Sequence, residues 1–167
     1  MILATHAVVG VAAAELFPSN PIAAFIAAFL SHFLLDAIPH WNYSIKSHQE
    51  NPENPLNGKV VFGKTLAFDL IKVFVDLSAG IALSFLLFSK GTYQSEFIVV
   101  LGAFGGMLPD ALQFTYWILK IEPLKSIQKF HIWIHHRIKY ELSPVWGIPF
   151  QIAIAAIIVI AAKLFWF

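Results

Sequence analysis

The chain has 167 residues, of which 58% are hydrophobic and only 13% are charged; its formal net charge is +1 and it contains no cysteine. Soluble domains carry about 25% charged residues, so this composition excludes an ordinary soluble domain and predicts an integral membrane protein. The near-neutral charge gives no indication of nucleic-acid binding. The lack of cysteine excludes disulfides, cysteine-ligated zinc and thiol catalysis.

Five apolar segments predict one all-α domain over residues 1–167, an integral membrane bundle of about five transmembrane helices. The first segment, residues 2–17, is short for a full span at about 1.5 Å per residue, so we expect it to be tilted or partly buried within the bundle. The other four segments are 21–38, 65–88, 96–119 and 145–167, the last of them lipid-like throughout. Residues 42–65 form a polar loop. Residues 120–144 are basic and aromatic and predict an amphipathic segment on the membrane surface.

If all five segments cross the membrane in alternating directions, the N-terminus, the 42–65 loop and the 120–144 segment lie on the same side. By the positive-inside rule this side is cytoplasmic, because it holds most of the basic residues. The start MILATHAVVG has no basic region or clear cleavage site, so it predicts a retained first helix in the cell (inner) membrane. The basic residues on this side are Lys46, Lys59, Lys64, Lys120, Lys125, Lys129, Arg137 and Lys139, against Lys90 and Lys163 on the other.

The strongest motif is SHFLLDAIPHW, residues 31–41, in which His32, Asp36 and His40 are spaced by four residues. In a helix this spacing places the three side chains on one face, and imidazole and carboxylate are suitable ligands for Zn²⁺ or Mn²⁺. An ionisable group at this depth costs several kcal/mol unless it is paired, so it indicates function. A hydrogen bond that only joins helices is the alternative for His32 and Asp36. His40, beside Trp41, is a ligand, an outer base or an interfacial histidine.

Four further residues fall in the same leaflet by this threading: His6, Asp110, His131 and His135. His131 and His135 share a face in a helix or a strand, which favours two more ligands over histidines that face lipid headgroups. Asp110 follows Pro109, which opens the backbone, and is predicted as a metal or bridging ligand rather than a contact between helices. His6 is either a ligand or a packed histidine.

The remaining polar residues have weaker roles. His136 and Arg137 are candidates for binding a substrate phosphate. Lys72 is expected to form an ion pair with either Asp69 or Asp76, and a role for Asp69 around the metal is the second interpretation. His48 is expected to be solvated in its loop.

The motifs ATHAVVG, HFLLD, GAFGGMLPD and the late HxxxH resemble the predicted membrane-bound metal-dependent hydrolases of the YdjM type. They are also distantly similar to the zinc-dependent phospholipase C and P1 nuclease superfamily. The resemblance implies a helical site with one to three zinc ions, held by the pair His32 and Asp36, by the pair His131 and His135, and by His6 and Asp110. The second pair here ends in histidine where the superfamily has a carboxylate.

These expectations lead to a membrane-bound, metal-dependent hydrolase that acts on a phosphoester or lipid headgroup at the cytoplasmic interface. Asp36 and Asp110 are the candidate catalytic residues, as bridge or base. The alternatives are a proton or metal-ion transporter that uses intramembrane histidines and acids, a haem-binding protein and an inert scaffold. Membrane lipid is the expected partner. A homo-oligomer remains open because Gly102, Gly105 and Gly106 can pack against another chain as well as within one.

Overall fold

The structure is a computed structural model that describes residues 1–136 and 142–166. Its fold is all-helical, as the sequence predicts. The helices in chain order are α1 Leu3–Ala14, α2 Pro21–Asp36, α3 Lys64–Phe88, α4 Tyr93–Leu119, α5 Glu122–His136 and α6 Pro144–Trp166. Short strands β1 His48–Gln49 and β2 Lys59–Val60 pair antiparallel within the 42–65 loop, on either side of a 3₁₀ helix at Pro55–Asn57.

Among the described residues, three helices are long and apolar enough to cross a membrane: α3, α4 and α6. The two N-terminal helices are shorter. With 12 and 16 residues, α1 and α2 extend about 18 and 24 Å, against a hydrocarbon thickness of about 30 Å. Ten of the twelve α1 residues are buried, because α1 packs against α2, α3, α4 and α6. Helix α1 is therefore the central element of the bundle.

Glycines allow α1 and α4 to approach closely. A Cβ atom on Gly10 would lie 2.5 Å from the carbonyl oxygen of Gly102, and one on Gly106 would overlap the carbonyl oxygen of His6. Gly105 packs in the same way against Ala28 of α2. The glycines of α4 thus face helices of their own chain, and this crossing places His6 beside the part of α4 that precedes Asp110.

Helix ends explain several polar residues. Asn20 accepts a hydrogen bond from the backbone of Ala23, and Pro21 opens α2, as expected for a proline in the first helical turn. Asp76 of α3 caps α1, because its carboxylate accepts hydrogen bonds from the backbone N–H groups of Leu3 and Ala4 at 2.7 and 3.1 Å. A carboxylate at a helix N-terminus also complements the helix dipole.

Lys72 pairs with only one of the two acids that the sequence offered. Its Nζ lies 2.6 Å from Asp69, and it also donates to the carbonyl oxygen of Ser44 at 2.7 Å. Asp69 in turn accepts from the backbone N–H of Ser47. These contacts attach the 42–65 loop to the start of α3.

Candidate metal centre

The site is built around Asp36, the last residue of α2, whose side chain is fully buried. The Nε2 atoms of four histidines from three helices point at its carboxylate. Their distances to the nearer Asp36 oxygen are 3.2 Å for His6, 3.0 Å for His32, 3.1 Å for His131 and 3.0 Å for His135. The helices α1, α2 and α5 therefore meet at one carboxylate.

The two oxygens of Asp36 have different neighbours. Oδ2 is the oxygen nearest to His32, His131 and His135. Oδ1 is nearest to His6, to the amino group of Met1 at 2.9 Å, and to His40 Nε2 at 3.9 Å. One carboxylate is thus shared by two groups of nitrogen atoms.

Asp110 of α4 completes the first group. Its Oδ1 lies 3.7 Å from Nε2 of His32 and of His131. Ligand atoms of His32, Asp36, Asp110 and His131 all lie within 4.8 Å of one another, and so do those of Asp36, His40 and His135. Either group can hold a metal ion.

The distances between donor atoms fit a coordination shell. His131 Nε2 lies 3.3 Å from His32 Nε2 and 3.2 Å from His135 Nε2. With zinc–nitrogen bonds of about 2.0–2.1 Å, neighbouring ligands of a tetrahedral ion are separated by about 3.3–3.4 Å. Hydrogen bonds among these three nitrogens cannot satisfy all of them. Each contact needs one hydrogen between the two nitrogens, and a neutral imidazole nitrogen either donates or accepts.

Two histidines have their tautomer set by the backbone. Nδ1 of His32 lies 2.8 Å from the carbonyl oxygen of Gly106, and Nδ1 of His40 lies 2.7 Å from that of Ile38. A carbonyl only accepts, so each Nδ1 carries a hydrogen. In the neutral form of each ring, the Nε2 lone pair of His32 faces Asp36 Oδ2 at 3.0 Å, whereas Nε2 of His40 accepts from the side-chain amide of Asn42 at 3.2 Å. Metal-binding histidines usually donate their other ring N–H to an acceptor such as a backbone carbonyl.

Within the cluster, the buried Nδ1 atoms of His6 and His131 have no hydrogen-bond partner in the described part of the chain. Nε2 of His6 lies 3.2 Å from Asp36 Oδ1 but makes no hydrogen bond of good geometry. The ring of His6 stacks on that of His32, with centroids 3.9 Å apart. Unpartnered buried nitrogens are costly and rare, so Nε2 of His6, which faces Asp36, is available to a further ligand.

Burial favours the neutral form of His40 and His131. It lowers the pKa of His40 from its ordinary value to about 4, and it lowers the pKa of His131 in the interfacial helix α5. Neutral imidazoles are the metal-binding form.

Two members of the cluster are partly exposed. The side chains of His135 and Asp110 are 30% and 28% exposed, whereas those of His6, His32, Asp36 and His131 are fully buried. Solvent therefore reaches the described part of the cluster at Asp110 of α4 and His135 of α5, its open edge.

The other predicted site residues lie elsewhere or outside the described residues. Asp69 contacts Ser47 and Lys72 and takes no part in the cluster. The side chain of His136 and all of Arg137 are not among the described residues. His48 is half-buried rather than freely solvated: its ring stacks on that of Trp117 with centroids 3.7 Å apart, and burial lowers its pKa.

Gln151 has a structural role that the sequence pattern did not predict. This α6 residue is fully buried, accepts from the backbone N–H of Ile2 at 3.3 Å and donates to the carbonyl oxygen of Trp41 at 2.7 Å. The last span is thus not lipid-like throughout. A lone amide in an apolar run was the available signal, because such a group needs a buried partner.

No family model, curated protein or solved structure matches this chain. The functional proposal below therefore rests on the geometry around Asp36.

Proposed function

We propose that this protein is a membrane-embedded, metal-dependent hydrolase that cleaves a phosphoester, including one in a lipid headgroup. The observation that carries the proposal is the approach of four imidazole Nε2 atoms to within 3.2 Å of one buried carboxylate. Evenly spaced nitrogen and oxygen donors in a buried place are typical of transition-metal sites.

The donor set supports zinc, with manganese as the second choice, because imidazole with carboxylate suits both metals. His32, His131 and Asp36 Oδ2 would hold one ion and leave a position for water, with Asp110 Oδ1 3.7 Å from the two histidine nitrogens. Asp36, His40 and His135 form the second group of ligand atoms, so Asp36 would be shared with a second ion if one binds there.

The catalytic roles differ between the two acids. Both oxygens of Asp36 already face nitrogen donors, so we assign Asp36 to metal binding. Asp110 lies at the open edge and is partly exposed, so we assign it the role of accepting a proton from the attacking water. A divalent ion bound here would lower the pKa of water and polarise the phosphoryl oxygen.

We further propose that α1 and α2 lie within the bilayer with α3, α4 and α6, giving five apolar segments. Helix α5 would then lie at the cytoplasmic interface, with Lys125 and Lys129 near anionic headgroups. Exposed aromatic side chains support this placement, since Phe130 and Trp133 are 44% and 48% exposed.

The clustering favours a hydrolase over a proton or ion relay. A relay would place histidines and acids through the thickness of the membrane. Five of the described histidines instead meet near Asp36. Glu15, an acid outside this cluster, lies 3.8 Å from Lys90 and so has an ion-pair partner of its own. A haem is not favoured, because imidazole nitrogens 3.2–3.3 Å apart leave no space for a macrocycle between them.

Elemental analysis tests the proposal. Protein purified in detergent without chelator should contain at least one transition-metal ion per chain, and His32→Ala combined with Asp36→Ala should lose it. The purified protein should also cleave a chromogenic phosphodiester, and the double variant should not. Equal metal content in both proteins would reject the site; metal without hydrolysis of water-soluble or lipid phosphoesters would reject the reaction.

A further inference from the structure

Gln128 is a buried amide that the proposed metal centre does not yet use. It lies on α5 and is 2% exposed, and its Oε1 has no hydrogen-bond partner in the described part of the chain. An apolar side chain of the same length would avoid this unsatisfied oxygen. The presence of glutamine therefore calls for a reason other than packing.

His131 presents the complementary group on the same face of α5. Residues 128, 131 and 135 are separated by three and four positions, so their side chains form one row along the helix. Helical side chains tilt toward the N-terminus, so the His131 ring leans toward the turn that carries Gln128. Nδ1 of His131 is also buried and also lacks a partner.

The proton on His131 has only one consistent position in a metal-bound site. Its Nε2 faces Asp36 Oδ2 at 3.1 Å and the Nε2 atoms of His32 and His135. If Nε2 binds a metal, the neutral ring carries its hydrogen on Nδ1, which then needs an acceptor.

Two neighbouring histidines already have such acceptors. Gly106 serves His32 and Ile38 serves His40. His135 is partly exposed, so water can serve it. His131 is fully buried, and the Oε1 of Gln128 is the buried acceptor with no other partner on its face.

We propose that Gln128 is a positioning residue of the metal centre: its Oε1 accepts the Nδ1 hydrogen of His131 and fixes that ring with Nε2 toward the ion. A modest rotation of the glutamine side chain closes this contact, because residues three apart on a helix have Cβ atoms about 5–6 Å apart. This inference rests on the proposed metal site.

The test compares Gln128→Met with wild type. Methionine keeps the length and removes the acceptor, so zinc affinity measured by competition with a chromophoric chelator should fall about tenfold to a hundredfold. The thermal unfolding temperature of the metal-free variant should not fall, because the change removes an unsatisfied buried oxygen. Zinc affinity should therefore fall while metal-free stability does not. If Gln128 served only in packing, the two would not separate in this way.

Two further variants complete the experiment. Gln128→Glu keeps an acceptor and should bind zinc at least as tightly as wild type, whereas Ser126→Ala, an exposed change on the same helix, should change nothing. If Gln128→Met does not fold, Gln128→Leu takes its place. Zinc affinity within threefold of wild type in the apolar variant, or joint loss of affinity and metal-free stability without rescue by glutamate, would overturn the role of Gln128. Absence of metal from wild type would instead reject the proposed function.

Discussion

Replacing Asp36 by asparagine removes the charge at the centre of the site and keeps the shape of the side chain. Asp36 Oδ2 lies 3.0–3.1 Å from three imidazole nitrogens, and Oδ1 lies 2.9 Å from the amino group of Met1. Asparagine keeps one oxygen and replaces the other by an NH₂ group, which carries no negative charge and has no lone pair for a metal ion. Both groups of ligands therefore lose an anionic member.

Asp36→Asn should lower metal affinity more than mutation of a residue that only hydrogen-bonds to a metal ligand (an outer partner). Mutation of outer partners costs about tenfold to a hundredfold, so loss of the shared carboxylate should cost at least about a hundredfold, or about 2.7 kcal/mol. The metal-free protein should also be less stable by about 3–5 kcal/mol, because the Met1 amine would remain buried without its anionic partner.

Zinc competition and detergent-solubilised unfolding measure the two effects. The matched control is Asp69→Asn, since Asp69 is also a buried acid near a helix end but contacts Ser47 and Lys72 instead of the cluster. The control should bind zinc like wild type. If Asp36→Asn kept its zinc affinity within threefold, Asp36 would not be a ligand and the reasoning would fail.

Three other changes probe the support and chemistry of the site. Gly106→Ala should destabilise the protein by about 1–3 kcal/mol in an unfolding titration, because its Cβ would overlap the His6 carbonyl oxygen; a neutral result would contradict the close crossing of α1 and α4. Asp76→Ala should cost about 0.5–2 kcal/mol through loss of the α1 cap, with zinc affinity retained, and an unchanged unfolding midpoint would refute the cap. Asp110→Asn should abolish phosphodiester cleavage at saturating zinc, and full activity would exclude Asp110 as the proton acceptor.

The sequence predicted site residues well where their spacing along a helix and their depth in the membrane both restrict their position. The interval of four residues places His32 with Asp36 and His131 with His135 on helix faces, and the structure brings both pairs to one point. Hydropathy also predicted the all-helical fold and the three long apolar helices. The metal itself and the reaction stay predictions.

Other features depend on tertiary contacts that no local pattern contains. The sequence left Lys72 with two candidate acids, and only the packing of α1 on α3 assigns Asp76 to the α1 cap. Gln151 likewise acquires its role through contacts with Ile2 and Trp41, which are more than a hundred residues away along the chain. Hydropathy averages over a span and therefore conceals a single buried amide.

Anomalous diffraction at the zinc edge, from crystals grown without chelator, tests the central claim most directly. The account predicts an anomalous peak among Asp36, His32 and His131, about 2.0–2.1 Å from the nitrogen ligands. A map that shows these residues well ordered in zinc-saturated protein, with no peak between them, would contradict it.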